Sequence, residues 1–307
     1  MTRPAAAISV AISTLDRPES LGRCLDALLA GEVLPAEIVV VDQAADLRGE
    51  QVVSARRQQE GPELVYLRQP KRGLGASQNL AVRTARHPIV AVTDDDCIPD
   101  PSWLAAIEKA FQAADAPDVL TGRVLPLPPE GDRTEPVSLR ISTERREFRG
   151  RALPWEVGSG NNFALRRDWF DRIGGCDERL GPGSPVRGGV DMDLFYRLLR
   201  AGAHTRYEPD SLVLHERQTR ADRLARRPMY GRGMGACCSL WLRQGDFYAL
   251  RVLAGWLALR FGRIGRDLLK GYGRGAYEEL LVLGGTVRGM SQGMFLRKKA
   301  TGGSDLR

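Results

Sequence analysis

No apolar run in this sequence reaches the roughly 18 residues that a membrane span needs. The longest candidate, Phe247 to Phe261, is 15 residues long and is broken by Arg251 and Arg260. The opening Met1-Thr2-Arg3-Pro4 passes straight into a short Ala/Ile/Val segment with no apolar core and cleavage site of a secretory signal. Cysteine is scarce: Cys24, Cys97, Cys176, Cys237 and Cys238 form an odd set without metal-ligand spacing, and the adjacent pair is poorly suited to chelate zinc. Buried thiols in a reducing, cytoplasmic setting are the expectation. The 34 glycines keep no three-residue period and no internal repeat is found, which excludes collagen and solenoids. No Walker A sequence occurs. The turn after the first β-prone segment, Ser13-Thr14-Leu15-Asp16-Arg17, holds no glycine, which disfavours a nicotinamide enzyme.

What is present is the balance of a globular protein, with 43% hydrophobic and 27% charged residues over 307 positions. That length accommodates two domains, or one with a large appendage. The net charge of +7 is unevenly spread. Residues 1–216 carry 27 Lys and Arg against 32 Asp and Glu (net −5), whereas residues 217–307 carry 18 against 6 (net +12). An acidic body with a basic tail points the tail at an anionic partner, nucleic acid or a lipid surface.

Apolar β-prone runs recur at Ala7–Ile12, Glu37–Val41, Leu64–Leu67 and Ile89–Val92, each followed by a turn and a helical pattern. This alternation predicts a parallel sheet with crossover helices. The first helix is expected to be capped by Asp16, with Pro18 in its first turn and Glu19 at capping-box distance. Its apolar stripe is Leu21, Cys24, Leu25, Leu28 and Leu29. A second helix starts at Asp100-Pro101 and buries Trp103, Leu104, Ile107 and Phe111. Pro126–Trp155 reads as a long surface loop. Order resumes at Asn162–Ile173, then come a Gly/Pro-rich loop from Gly174 to Gly189, a helix from Asp191 to Ala201 and a strand near Ser211–Leu214.

Acidic residues fall where predicted strands end. Asp42 follows Ile38–Val41, and Asp94-Asp95-Asp96 follows Ile89–Thr93. In open α/β sheets ligands bind beyond the carboxyl ends of the strands, so these side chains are expected in one crevice. Adjacent carboxylates repel unless compensated, and oxygen ligands of this kind suit magnesium or manganese. A solvated acidic turn is the bland alternative. The segment Lys71–Asn79 sets glycines and basic residues before a helix, as phosphate binding requires, but its Gly73-x-Gly75 is a weak signal alone. Asp191 and Asp193 open a helix after a flexible loop, where one can act as general base and the other, or both, as caps. His215 ends a strand and offers either a metal ligand or an ordinary hydrogen-bonded imidazole.

The co-linear order of Ser13-Thr14-x-x-Arg17, Asp42, Gly73 to Asn79, Thr93–Asp96, Gly158–Asn162, Gly174–Glu178 and Asp191-x-Asp193-Leu194 with Arg197 resembles the family-2 glycosyltransferases, across residues 7–217. The resemblance implies a Rossmann-like α/β fold of the glycosyltransferase A type with a C-terminal helical extension. It implies that Thr14, Arg17 and Asp42 contact the nucleotide base, with Arg72 and Asn79 near the ribose and diphosphate. Asp94 and Asp96 match the family's Asp-x-Asp motif, with Asp95 close to the ribose and Asp96 the direct metal ligand. His215 matches a histidine that completes metal and diphosphate binding, and Asp191 the catalytic base. Val190 departs from the family pattern, standing where a Glu is common. Trp155, Asn161 and Asn162 are candidate sugar or acceptor contacts, with Trp155 equally readable as a core anchor.

The expectation is an inverting transferase dependent on Mn2+ or Mg2+. It would move a sugar from a nucleoside diphosphate donor, UDP-linked, to a hydroxyl of a cell-surface glycan or lipid-linked acceptor. A tailoring enzyme for a small natural product or peptide, and a non-catalytic sugar-nucleotide-binding protein, are the alternatives. A phosphotransferase using Asp94 and Asp96 is disfavoured because that motif belongs after the first strand. The expected domains are a catalytic one over 1–218, with a donor half 1–122 and an acceptor half 123–218, and a basic amphipathic extension over 219–307. In the extension, Phe247, Leu250, Leu253, Ala254, Leu257, Phe261, Ile264 and Leu268 follow helical spacing among arginines, with Trp241 and Trp256 interface-prone. This predicts peripheral contact with the inner face of the cell membrane and no nucleic acid partner; packing on the catalytic domain is the competing reading.

Overall fold

A computed structural model describes residues 4–57 and 61–297. The strands among them are β1 Ala5–Thr14, β2 Leu34–Asp42, β3 Glu63–Arg68, β4 Ile89–Asp94, β5 Cys97–Pro99, β6 Val119–Pro126, β7 Arg146–Phe148, β8 Asn162–Arg166 and β9 Thr205–His215. The helices are α1 Pro18–Ala30, α2 Arg48–Ser54, α3 Leu74–Thr84, α4 Trp103–Gln112, α5 Pro154–Val157, α6 Arg167–Arg172, α7 Val190–Arg200, α8 Arg220–Arg243, α9 Tyr248–Leu269 and α10 Gly273–Phe295. The described chain divides into two compact units. One holds residues up to 178, 182–184 and 190–225; the other holds 179–181, 185–189 and the residues from 226 onward.

In the first unit all nine strands join one sheet in the order β3-β2-β1-β4-β8-β6-β9-β5, with β7 on β9. The expected parallel arrangement holds for β1, β2, β3 and β4. Beyond β4 the sheet is mixed, because β8 runs antiparallel between β4 and β6. Ile8, Val10, Ile12, Ile38 and Val40 pack against Leu21, Cys24, Leu25 and Leu28 of α1 and Trp103, Leu104 and Ile107 of α4. Truncating one such leucine to alanine costs about 2–5 kcal/mol.

Several boundaries differ from the sequence reading. Asp16 does not cap α1. It adopts a left-handed backbone (φ 56°), and Arg17 occupies the N-cap position without a side-chain cap bond. The 126–155 segment is not a free loop: β7 pairs with β9, and Val124 bridges Arg140. β9 is eleven residues long, since Gly122 of β6 pairs with Glu208 and the next residue, Arg123, with Leu212. Pro209 therefore sits in a bulge, where its missing N–H does no harm.

The second unit is helical. Its described part ends at Arg297, so the last ten residues of the expected extension lie outside the described residues. α8 and α10 approach through glycines. A Cβ on Gly231 would lie 1.8 Å from the Val282 carbonyl oxygen, and one on Gly289 would lie 2.1 Å from that of Arg232. The buried face of α9 is Ala249, Val252, Trp256 and Arg260. Arg260 stacks on Trp256 at 4.0 Å and pairs with Glu279 at 2.8 Å, and Arg227 pairs with the same carboxylate at 2.7 Å. Phe247, Leu250, Phe261 and Leu268 of the expected stripe are exposed. Trp241 and Trp256, read as interface-prone, are instead buried, Trp256 donating its indole N–H to Thr286. No helix among the described residues is long and apolar enough to cross a membrane.

Candidate active site

The carboxyl ends of the parallel strands gather the polar residues. Thr14 lies opposite Asp42, Ser13 opposite Asp94, and Thr93 opposite Asn162 at the start of the antiparallel β8. Cys97 lies opposite His215 where β5 meets the end of β9. One edge of the sheet thus carries Thr14, Asp42, Asp94, Asp95, Asp96, Asn161 and His215.

The acidic run has a resident counter-ion. Arg17 donates to Asp96 Oδ2 at 2.6 Å and to Asp95 Oδ1 at 3.2 Å, and Thr14 donates to Asp95 Oδ2 at 2.7 Å. Burial and the neighbouring Asp96 push Asp95 up to about 6. Burial, then Asp96 and Asp95, hold Asp94 well above the carboxylate range. Burial works against the charge of Arg17, but the three aspartates outweigh it and raise its value. Asp96 Oδ1 is buried and accepts no hydrogen bond. It faces His215 Nε2 at 3.6 Å. The other imidazole nitrogen, Nδ1, lies 2.7 Å from the Glu216 carbonyl oxygen. In the neutral imidazole that contact favours the proton on Nδ1, so Nε2, the nitrogen facing Asp96, is the one available to a metal. An orphaned carboxylate oxygen beside an imidazole lone pair fits a divalent cation.

Asp191 begins α7, half-buried. Its Oδ1 accepts from Met192 N at 2.9 Å and its Oδ2 from Gly160 N at 3.3 Å. Gly160 is needed there, since a Cβ would come within 2.8 Å of Asp191 Cβ. Burial raises the Asp191 carboxyl above its ordinary value, while the Met192 N–H and the charge of Arg140 oppose the shift. Asp193 is committed elsewhere: it accepts from Arg197 at 2.7 Å, and Arg197 also donates to the carbonyls of Ile173 and Gly175. Val190 is buried.

The remaining expected residues divide. Asn161 is 3% exposed, and neither its amide nitrogen nor its oxygen has a partner. Asn162 is 0% exposed, accepts from the Trp103 indole at 2.9 Å and donates to the Arg123 and Ser211 carbonyls. It locks β8 to α4 and β9, which corrects its expected role as a sugar contact. Asn79 uses both amide hydrogens within the protein, on the Cys176 carbonyl and Glu178, each at 3.1 Å. Asp42 is buried, accepting from Ala44 N at 2.7 Å and the Tyr66 hydroxyl at 2.8 Å. Arg72 is exposed and paired with Glu178 at 2.9 Å. Trp155 is half-buried on α5, which packs on α7. Sequence reasoning missed Arg140, which donates to the Gly158 carbonyl beside Asp191 and which no local motif marks.

Residues 9–174 match the profile described as Glycosyl transferase family 2. The chain belongs to glycosyl transferase family 2. This family-2 chain is 28% identical over 200 residues to the pre-mycofactocin glycosyltransferase of Mycobacterium tuberculosis, covering 62% of the chain and 41% of that protein. It is 23% identical over 242 residues to the chondroitin synthase of Escherichia coli, covering 68% and 34%. The chain thus spans about two fifths and one third of the length of these curated relatives. Among solved structures, the mannosyltransferase PcManGT of Pyrobaculum calidifontis, in complex with GDP-Man and Mn2+, aligns with a TM-score of 0.61 at 16% identity over 95% of this chain and 88% of that one. The S. aureus TarS 1–349 complex with UDP-GlcNAc aligns at 0.59 with 17% identity, over 92% and 81%. The family-2 chain accordingly has the α/β glycosyltransferase A-type fold, followed by C-terminal helices.

Proposed function

We propose that this chain is an inverting, metal-dependent glycosyltransferase that moves a sugar from a nucleoside diphosphate donor, probed first as UDP-linked, to a hydroxyl of a glycan or lipid-linked acceptor. The observation that carries the reading is the unpartnered Asp96 Oδ1 facing His215 Nε2 at the end of the sheet, with Asp191 near enough to Asp94 for its charge to raise that carboxyl. A divalent cation, Mn2+ or Mg2+, held by Asp96 and His215 with Asp94 nearby would set positive charge against the donor's diphosphate. Thr14, Arg17 and Asp42 form the wall proposed for the base, with Asp95 toward the ribose and Arg72 toward the diphosphate. Asn79 acts from behind by fixing the 176–178 segment.

Asp191 takes the proton of the acceptor hydroxyl while that oxygen forms its bond to the anomeric carbon. The bond from carbon to the diphosphate oxygen breaks on the opposite face, and its electron pair leaves with the nucleoside diphosphate. One displacement inverts the anomeric centre. The elevated Asp191 carboxyl brings the base closer to the pH at which it works. The unpartnered Asn161 amide is suited to a sugar hydroxyl, because a buried amide left unpaired costs about 1–3 kcal/mol that a ligand would recover. Trp155 offers a ring for a sugar face. Transfer to a small natural product or peptide is the second reading, favoured by the relative named for pre-mycofactocin rather than for a polymer.

A panel of UDP- and GDP-sugars, assayed for nucleoside diphosphate release with Mn2+ or Mg2+, tests the proposal. One donor should release nucleotide only with metal. Donor binding by calorimetry without release under any condition would favour the non-catalytic alternative, and a product retaining the donor's configuration would exclude the single displacement.

A further inference from the structure

We propose that Cys97 is a third metal-binding group, which makes the cation site able to take a thiophilic ion, zinc above all, in place of the hard working metal. The proposal rests on Asp96 and His215 being the cation-holding pair. Asp96, Cys97 and His215 each present one donor atom, and these atoms all lie within 4.8 Å of one another. The strand pairing causes this. Cys97 and His215 are directly opposed in an antiparallel pair, so their side chains leave the sheet on the same side, and Asp96 immediately precedes Cys97 in the turn from β4.

The donor set is oxygen, sulfur and nitrogen, as in zinc sites with three protein ligands and one open position. Tetrahedral zinc places such donor atoms about 3.3–3.7 Å apart, by its bond lengths of about 2.0–2.3 Å. The His215 Nε2 to Asp96 Oδ1 separation of 3.6 Å already meets that. The imidazole is oriented by the Glu216 carbonyl, and Asp96 Oδ2 is held by Arg17, so two of the three ligands have outer support. On binding, the sulfur–metal bond forms as the thiol proton passes to solvent. Magnesium and manganese have little use for sulfur, whereas zinc gains from both sulfur and imidazole. Cys97 therefore does not assist the hard metals but lets zinc displace them, and zinc occupying the site lacks the oxygen-rich coordination that the hard metals bring. Zinc is expected to inhibit donor turnover competitively with manganese.

The test begins with cobalt as a spectroscopic stand-in for zinc on the metal-free full chain. Wild-type protein should show a sulfur-to-cobalt charge-transfer band at one equivalent, and zinc should erase it. Cys97→Ser should lose the band and weaken zinc by more than about 100-fold, beyond what losing an outer-shell partner costs. Cys238→Ala, a thiol of the helical unit, should keep both. Because a buried Cys→Ser change can unfold the protein, X-ray absorption of zinc-loaded wild type is the second measurement, with one sulfur expected at about 2.3 Å. Zinc surrounded only by nitrogen and oxygen, or a cobalt adduct without the band, overturns the proposal. These readouts need no turnover. Sulfur-ligated zinc in a protein that releases no nucleotide with Mn2+ or Mg2+ would sink the transferase reading alone, and manganese-dependent hydrolysis without the sulfur signal would sink this one alone.

Discussion

Asp191 and Asp193 are two residues apart on one helix, and their surroundings separate them. Asp193 is closed off by Arg197, while Asp191 accepts from backbone N–H groups, those of Met192 and Gly160 among them. Asp191→Asn should keep donor binding and slow transfer by about 10²–10⁴-fold. Asp193→Asn should instead lower stability by on the order of 3 kcal/mol, because it strands Arg197, and leave the activity per folded molecule near wild type. Urea unfolding beside initial rates distinguishes them, and the reverse pattern would move the base to Asp193. The acidic limb of the rate profile should lie above the ordinary aspartate value of about 3.9, since Asp191 must lose its proton to serve. Most of these residues were legible from sequence because strand ends and motif order place them. The Asn161-Asn162 pair was legible only by half. Asn161 lies in the turn before β8 while Asn162 opens the strand and bonds to α4 and β9, a difference that two adjacent amides in a sequence do not reveal.

Among the elements, α1 and α4 were readable from their periodic apolar residues, and β1, β2 and β4 from their branched ones. β5 and β7 were not, since three residues carry no period. β9 was half seen because the bulge at Pro209 interrupts its alternation. The junction between α5, β8 and α7 carries a constraint that bears on the proposed base, the approach of Gly160 to Asp191. Gly160→Ala should leave the circular dichroism spectrum and cooperative unfolding intact while lowering kcat by about 10²-fold, the cost of moving a catalytic group by about 1 Å. Unimpaired kcat would mean that Asp191 tolerates displacement and that its position is not tuned. The α8–α10 crossing escaped sequence reading altogether, because glycines at four-residue spacing look like weak helix rather than close contact.

For the molecule as a whole, the crowded carboxylates give stability a definite slope with pH. Asp95, at about 6, and Asp94, held well above the ordinary carboxylate value, bind protons more tightly folded than unfolded. The folded state therefore holds the extra protons as pH rises past about 4, and stability falls from there through 6. A divalent cation replaces those protons, so Mn2+ should raise Tm more at pH 7.5 than at pH 5. Equal shifts at both pH values would place the ion elsewhere. The charge asymmetry of the chain was legible from composition alone, but not its partner. We propose that the exposed Phe247, Leu250, Phe261 and Leu268, set among Arg251, Arg266 and Lys270, meet an anionic lipid surface. Flotation with anionic vesicles that weakens with salt is expected, and Phe261→Asp with Leu268→Asp should abolish it. Failure to float at low salt would leave the patch for self-association.

Arg17 supplies Asp95 and Asp96 with positive charge that the proposed ion would otherwise have to bring. Because a guanidinium from the loop before α1 already balances Asp95 and Asp96, newly made protein need not wait for a cation before its sheet can close. Chelation should then silence the enzyme reversibly, with the folded population preserved. A cell short of the metal would keep a reserve of intact, dormant copies that wake when supply returns, and would not lose them to proteolysis.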